Sequence, residues 1–391
     1  MSHPNNFQHQ QYSTERPRAP YRLLRADGPM PPADDGFAAK MSVIADQLRA
    51  ANVRNVVLTH GTFAGADGLG VITTLGSLLG KLNAKVKDLV KRVVDALARD
   101  AGNFTRGYAD TLEDALNQGI PQESPVRIFV KRFNWSSENN HIGRADGAVG
   151  LVEFLNELGT GAESPVVVIG HSHGGNVMAL ATNLINADQT ALQRFFNAAE
   201  SYYRIPATSI IDARHWAQVR DLLMQDGGPR DRLRSMPLRM ATLGTPIRYG
   251  WDLAADRRLL HIINHKPKPP HPKYLACLPE NVNQLVDADV GDLIQLLGIA
   301  GTNLIPTFLS PRAIVADRKL NSVLQAGLAS KKFLDNFRCG ARVAQQGTTF
   351  LVDYGPAEGN LIRSLLGHTI YTRMGWMEFH LRTIVQHLFA H

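Results

Sequence analysis

The sequence predicts an α/β fold in which a mostly parallel sheet of about six strands is flanked by helices. Short apolar runs alternate with helical patterns along the chain, as expected when each strand is followed by a helix that crosses back over the sheet. The run from Pro165 to Ile169 contains an unbroken Val-Val-Val-Ile stretch, which is typical of a strand buried on both faces. A hydrophobic content of 44% and a charged content of 20% suit a large core in a chain of 391 residues.

The predicted elements follow one another in the order that this fold requires. Strands are predicted at Val53 to Thr59, Val126 to Phe133, Pro165 to Ile169, Leu238 to Leu243, Leu293 to Ala300 and Thr348 to Val352. Helices are predicted at Val71 to Arg99, Arg144 to Leu158, Gly175 to Ile185 and Trp376 to Ala390.

One folded domain is predicted over residues 36–391. Residues 1–35 are rich in Asn, Gln, Pro and charge and lack the apolar core of a signal peptide, so we expect them to be disordered. Two helical or irregular insertions are predicted in the domain. The first, at about 186–236, is helical and polar, and the second, at about 249–292, contains a proline-rich run from Lys266 to Lys273.

Composition argues against several classes of function. The formal charge of +7 is spread over the whole chain, so no nucleic-acid partner is predicted. Cys277 and Cys339 are too few for a disulfide framework or a four-cysteine zinc site. No uninterrupted apolar stretch reaches about 18 residues, so no transmembrane helix is predicted. A cytoplasmic protein is expected, with export by another route left open.

The strongest chemical motif is Gly-His-Ser-His-Gly-Gly at residues 170–175. It directly follows the buried strand and directly precedes a predicted helix, which is the context of a nucleophile elbow. Glycines relieve crowding at such a sharp turn, and the N-terminus of the helix favours negative charge. Ser172 is therefore the predicted nucleophile. The alternative interpretation is a glycine-rich turn in which Ser172 only caps the helix.

Two further motifs complete a resemblance. His-Gly-Thr-Phe at residues 60–63 follows the first predicted strand, and Thr-Leu-Gly-Thr-Pro at residues 242–246 closes a later one. Together with the elbow, these motifs resemble the bacterial lipases and esterases of the α/β-hydrolase superfamily. The resemblance implies an α/β-hydrolase fold and a serine ester hydrolase. It also implies an oxyanion hole formed by the backbone N–H groups of Thr62 and His173, with Phe63 as the alternative to Thr62.

A general base and an acid should accompany the nucleophile. Among 14 histidines, His368 is the predicted base because it lies in the loop after the last predicted strand. In the family the acid usually ends the penultimate strand, but at that place this sequence has Asn303. Asp353, which ends the last predicted strand, is the chosen acid. Asp252 is the first alternative, and replacement of the acid by Asn303 is the other.

No cofactor or metal is predicted. His261 and His265 are four residues apart, but no third ligand is identifiable near them. The expected partner is a small-molecule ester or lipid, and contact with a membrane surface is left open. Two other functions stay open: an acyltransferase or thioesterase that uses the same residues, and an inactive binding protein that keeps the fold.

Overall fold

The computed structural model describes residues 7–61, 103–205, 211, 213–254, 256–276, 291–301, 310–324, 335–336, 338–355 and 366–390. Within these residues, seven strands form one sheet in which all neighbouring strands are parallel. The strands are β1 (Tyr21–Arg25), β2 (Asn55–Thr59), β3 (Phe129–Phe133), β4 (Val166–His171), β5 (Leu238–Leu243), β6 (Arg258–Asn264) and β7 (Thr348–Asp353). Their order across the sheet is β1-β7-β6-β5-β4-β2-β3.

Helices cover both faces of this sheet, which confirms the α/β prediction. Among the described residues they are α1 (Asp35–Ala50), α2 (Arg106–Leu116), α3 (His141–Glu157), α4 (Gly174–Asn186), α5 (Gln189–Tyr203), α6 (Arg214–Met224), α7 (Gly228–Ser235), α8 (Leu293–Ala300), α9 (Pro311–Val323) and α10 (Met377–Leu388). Two 3-10 helices, Leu366–Thr372 and Met374–Trp376, precede α10. Helices α5, α6 and α7 occupy the first predicted insertion, whereas the helix predicted at Val71 to Arg99 lies outside the described residues.

Strand β4 divides the hydrophobic core into two layers. Val166 and Val168 contribute to the layer that includes α3, α4 and α5. Val167 and Ile169 point the other way and join the layer that includes α1, α2 and α10. All four side chains are buried, as predicted from the unbroken apolar run, because a parallel strand covered on both faces has no solvent side.

The expectation that residues 1–35 are disordered is wrong for the part of them that the structure describes. Tyr21–Arg25 forms edge strand β1, paired with β7. Further towards the N-terminus, Phe7 is buried and stacks on Phe195 at 5.8 Å between ring centroids. Polar composition does not prevent this order, because main-chain hydrogen bonds and a few apolar contacts fix the segment. Gln10, for example, donates its N–H to the carbonyl of Arg248.

The predicted strand Leu293 to Ala300 is a helix, α8. An apolar run of this length fits either a buried strand or a buried helix. The capping residues favour the helix. The Asp292 side chain caps its N-terminus, and Gly301 ends it with a left-handed φ of 116°.

The strand that takes this place in the sheet is β6, inside the second predicted insertion. Its sequence, Arg-Leu-Leu-His-Ile-Ile-Asn, is buried from its second residue onward. It ends just before the prolines of Lys266 to Lys273, and these prolines led to the prediction of an irregular excursion. The region of residues 249–292 is therefore not wholly an insertion, since it includes a central strand of the sheet.

Candidate active site

Ser172 lies in a sharp turn between β4 and α4. Its φ of 53° lies in the left-handed region that few non-glycine residues adopt. The turn is held on both sides, since Ser172 donates its N–H to the Leu243 carbonyl at 3.0 Å and accepts a hydrogen bond from the Thr245 hydroxyl at 2.7 Å. Thr245 belongs to the Gly-Thr-Pro motif. That motif therefore fixes the main chain of the elbow.

The position of this turn in the sheet suits ligand binding. The chain runs from β2 to β3 towards one edge, and from β4 through β5 and β6 to β7 towards the other. Strands β2 and β4 are neighbours where the direction changes. In open parallel sheets, ligands bind at the carboxyl ends of the strands beside such a point. Ser172 follows the carboxyl end of β4 there.

The His60-Gly61 loop lies directly against Ser172. A Cβ atom added to Gly61 would lie 2.6 Å from the Ser172 Cβ and 3.2 Å from its hydroxyl oxygen. Only glycine permits this close approach of the two chain segments. The predicted oxyanion donor Thr62 and its alternative Phe63 come next in the chain, but both lie outside the described residues.

The segment after β3 braces the same loop. The Trp135 indole N–H donates to the His60 carbonyl at 2.8 Å, and the Trp135 main-chain N–H donates to His60 Nε2 at 3.2 Å. The Ser137 hydroxyl lies 3.2 Å from His60 Nδ1. His60 is thus held through its ring and its main chain, and this fixes the start of the loop that contains Gly61.

His173, the other predicted oxyanion residue, is the N-cap residue of α4. Its side chain is held by Asn176, whose Nδ2 lies 3.0 Å from His173 Nδ1. Burial lowers the pKa of His173 well below its ordinary value, and the charges of Arg144, Arg248 and His368 lower it further. The His173 ring is therefore neutral at physiological pH.

His368 forms a buried pair with Asp292. Its Nδ1 lies 2.8 Å from Asp292 Oδ2, and both side chains are 0% exposed. Burial opposes ionisation of Asp292, but the opposite charge and hydrogen bond of His368, the charge of Arg342 and the Gln295 N–H outweigh it, so the pKa of Asp292 lies below its ordinary value. An ionised carboxylate at Nδ1 leaves the other ring nitrogen as the proton acceptor.

His171 joins this pair to the elbow. It immediately precedes Ser172, and its Nε2–H donates to the His368 carbonyl at 3.1 Å. The centroids of the His171 and His368 rings are 4.7 Å apart. The structure therefore places the elbow at Ser172 and the pair of His368 and Asp292 together at the carboxyl ends of the strands. An imidazole paired with a carboxylate can activate a serine hydroxyl by proton transfer when that hydroxyl lies within hydrogen-bond reach of the imidazole.

The predicted acid Asp353 is not the partner of His368. It ends β7, and its carboxylate accepts the N–H of Gly355 at 2.9 Å. Asp252, the first alternative, accepts hydrogen bonds from Asn186 and Ala254. Asn303, the other alternative, lies outside the described residues.

The error has one origin. In the family that the motifs resemble, the acid follows the penultimate strand. Among the described strands the penultimate one is β6, not Leu293–Ala300, and Asp292 follows β6. Sequence reasoning also missed Tyr371 and Arg342, which contact Asp292. An aspartate directly before an apolar helical run is a helix-cap signal, and it would have marked Asp292.

Metal-ligating side chains do not cluster in the described part of the chain. His261 contacts the Thr242 hydroxyl and the Gln346 carbonyl, and His265 contacts the Lys273 carbonyl. Both histidines thus take part in protein hydrogen bonds.

Across the helices that the structure describes, none has the length and apolar character needed to cross a membrane. The chain matches no family model, and neither a curated protein nor a solved structure was found to be similar to it.

Proposed function

We propose that this protein is a serine hydrolase of the α/β-hydrolase type that cleaves carboxylic esters. The single observation that carries the proposal is the buried contact of His368 Nδ1 with Asp292 Oδ2, 2.8 Å long, beside the strained elbow of Ser172. The strand order supports the fold assignment, since nucleophile, acid and base follow β4, β6 and β7 in turn. The substrate is proposed to be a small-molecule ester or a lipid.

The reaction proceeds by acyl transfer in two steps. His368 accepts the proton of Ser172 while the serine oxygen attacks the ester carbonyl, and it then returns the proton to the leaving alcohol. Water hydrolyses the acyl-enzyme with His368 again as the base. Asp292 stabilises the imidazolium that forms in each step. The N–H groups of Thr62 and His173 are the proposed donors to the oxyanion.

A fluorophosphonate probe tests the nucleophile. We expect the wild-type protein to be labelled and Ser172→Ala to be unlabelled, because the probe forms its bond with an activated serine oxygen. Ser201→Ala is the control, since Ser201 is a partly buried serine of α5 whose hydroxyl donates to the Arg312 carbonyl and not to the elbow. It should keep its labelling.

Hydrolysis of p-nitrophenyl esters of increasing chain length should show the same dependence on Ser172. Added alcohols separate hydrolysis from acyl transfer, because an acyltransferase would form a new ester. An unlabelled wild-type protein, or equal labelling of Ser172→Ala, would contradict the proposed function.

A further inference from the structure

We propose that Tyr371 is a positioning residue for the acid, which fixes the Asp292 carboxylate and limits how strongly it stabilises protonated His368. This inference rests on the proposed function. Tyr371 takes no part in the proton transfers of the proposed reaction.

The hydroxyl of Tyr371 has one donor role and one acceptor role, and the structure fills both. It donates to Asp292 Oδ2 at 3.0 Å, and it accepts the main-chain N–H of Asn264 at 2.7 Å. Asn264 ends β6, so the hydroxyl is anchored to a central strand of the sheet. The same oxygen, Oδ2, also receives His368 Nδ1. Two donors therefore share one carboxylate oxygen.

The proton stays on Tyr371. Burial raises the pKa of Tyr371 well above its ordinary value, and the charges of Asp292 and Tyr354 raise it further. At physiological pH the phenol is therefore neutral and donates to Oδ2. The second oxygen, Oδ1, accepts the N–H of Gln295 at 2.8 Å. The carboxylate is thus held at both oxygens.

Gly244 makes room for this arrangement. It belongs to the Gly-Thr-Pro motif, and its φ is +60°. A Cβ atom at this position would lie 2.7 Å from Asp292 Oδ2 and would overlap the Tyr371 ring. Glycine is therefore required where Tyr371 and Asp292 meet, and one motif serves both the elbow and the acid.

The sharing of Oδ2 has a definite electrostatic sign. A hydrogen bond from Tyr371 draws negative charge from Oδ2, so the carboxylate stabilises the imidazolium of His368 less than it would alone. Other titratable or charged groups face the pair from neighbouring elements. They are His171 and His173 at the elbow, Arg342 before β7 and Tyr354 after β7. Burial raises the pKa of Tyr354 well above its ordinary value, so Tyr354 is neutral and adds no charge beside the pair.

Tyr371→Phe tests the inference through the pH profile of kcat/KM for a p-nitrophenyl ester. Without the hydroxyl, protonated His368 is stabilised more, and we expect the acid limb to move to higher pH by about half a unit or more. Without the Tyr371 contact the Asp292 carboxylate is positioned less firmly, and this should also lower kcat roughly tenfold with little change in KM. Incorporation of 3-fluorotyrosine at position 371 strengthens the donor and should move the limb to lower pH.

Tyr354→Phe is the matched control. Tyr354 is also buried, its ring lies 6.3 Å from that of Tyr371, and its hydroxyl contacts His380 Nε2 at 2.7 Å instead of the acid. This variant should lose thermal stability and keep the wild-type acid limb.

An unchanged acid limb in Tyr371→Phe overturns the inference. If that variant does not fold, an unchanged limb in the fluorotyrosine protein overturns it. Absence of Ser172-dependent turnover in the wild-type protein is a different result, which overturns the proposed function itself.

Discussion

Asp292 belongs to two structural units at once. Its Oδ1 caps helix α8 through the Gln295 N–H, and its Oδ2 receives His368. An asparagine could keep the cap, because its amide oxygen is an equally good helix-capping acceptor. It could not provide the negative charge that an imidazolium needs. Substitution at this residue therefore separates stability from chemistry.

Asp292→Asn should lower kcat by roughly a thousandfold or more, because the neutral amide orients the wrong tautomer of His368 and leaves the imidazolium without a counter-charge. Asp353→Asn is the control, since Asp353 accepts the Gly355 N–H and ends the neighbouring strand. It should keep kcat within roughly threefold of wild type. Steady-state ester hydrolysis, with circular dichroism to verify folding, gives the comparison. The opposite order of the two activities would restore Asp353 as the acid.

At the scale of elements, the sequence was most informative where one pattern fits only one structure. The four residues before Gly170 are all β-branched, which favours a buried strand over a buried helix, and the strand followed by glycines predicts the elbow between β4 and α4. Leu293–Ala300 is apolar in a way that suits two structures, and only its capping residues distinguish them. Because a strand is predicted at α8, Asp353 and not Asp292 is predicted as the partner of His368, whereas the structure pairs His368 with Asp292.

The N-terminal segment shows a second reason why local sequence does not predict the whole fold. Pairing of β1 with β7 depends on residues far away in the chain, and local composition does not report them. The contact of Phe7 with Phe195 is equally remote. The prediction of disorder is wrong there because a short polar segment can be ordered by packing on the surface of the rest of the folded chain.

Phe7→Ala should destabilise the protein by about 3 kcal/mol, within the range expected for removal of a buried phenylalanine. Phe7 is 2% exposed, whereas Phe129 on edge strand β3 is 44% exposed. Phe129→Ala is thus the same chemical change at an exposed site and should have little effect. Urea unfolding monitored by tryptophan fluorescence measures both. Equal midpoints for the two variants would show that the N-terminal segment does not contribute to stability.

At the scale of the whole molecule, buried neutral histidines link folding to pH. Burial lowers the pKa to about 4 for His9 and His261 and to about 3 for His265 and His380, from an ordinary value of 6.5. As pH falls below about 6.5, these histidines bind protons in the unfolded chain but not yet in the folded protein. The contribution of these histidines to the free energy of unfolding is therefore fully present near neutral pH and is lost on acidification.

The free energy of unfolding should fall between pH 6.5 and pH 4, by up to about 1.4 kcal/mol per pH unit for each such histidine. Thermal unfolding at a series of pH values measures this slope. His261→Gln should make it shallower, and His271→Gln, at an exposed position, should leave it unchanged. Asp292 acts in the same direction but only at lower pH, because its pKa lies below 3.8. A melting temperature that is constant over this window would contradict the prediction.

The pairing of β1 with β7 also has a consequence for biosynthesis. Gln10 and Gln346, which contact each other in the same region, are 336 positions apart in sequence. A nascent chain therefore leaves the ribosome with its first strand unpaired and one side of β6 open until β7 emerges. Such open strand edges attract other chains, so this protein should depend on chaperones during translation more than a protein whose contacts are local.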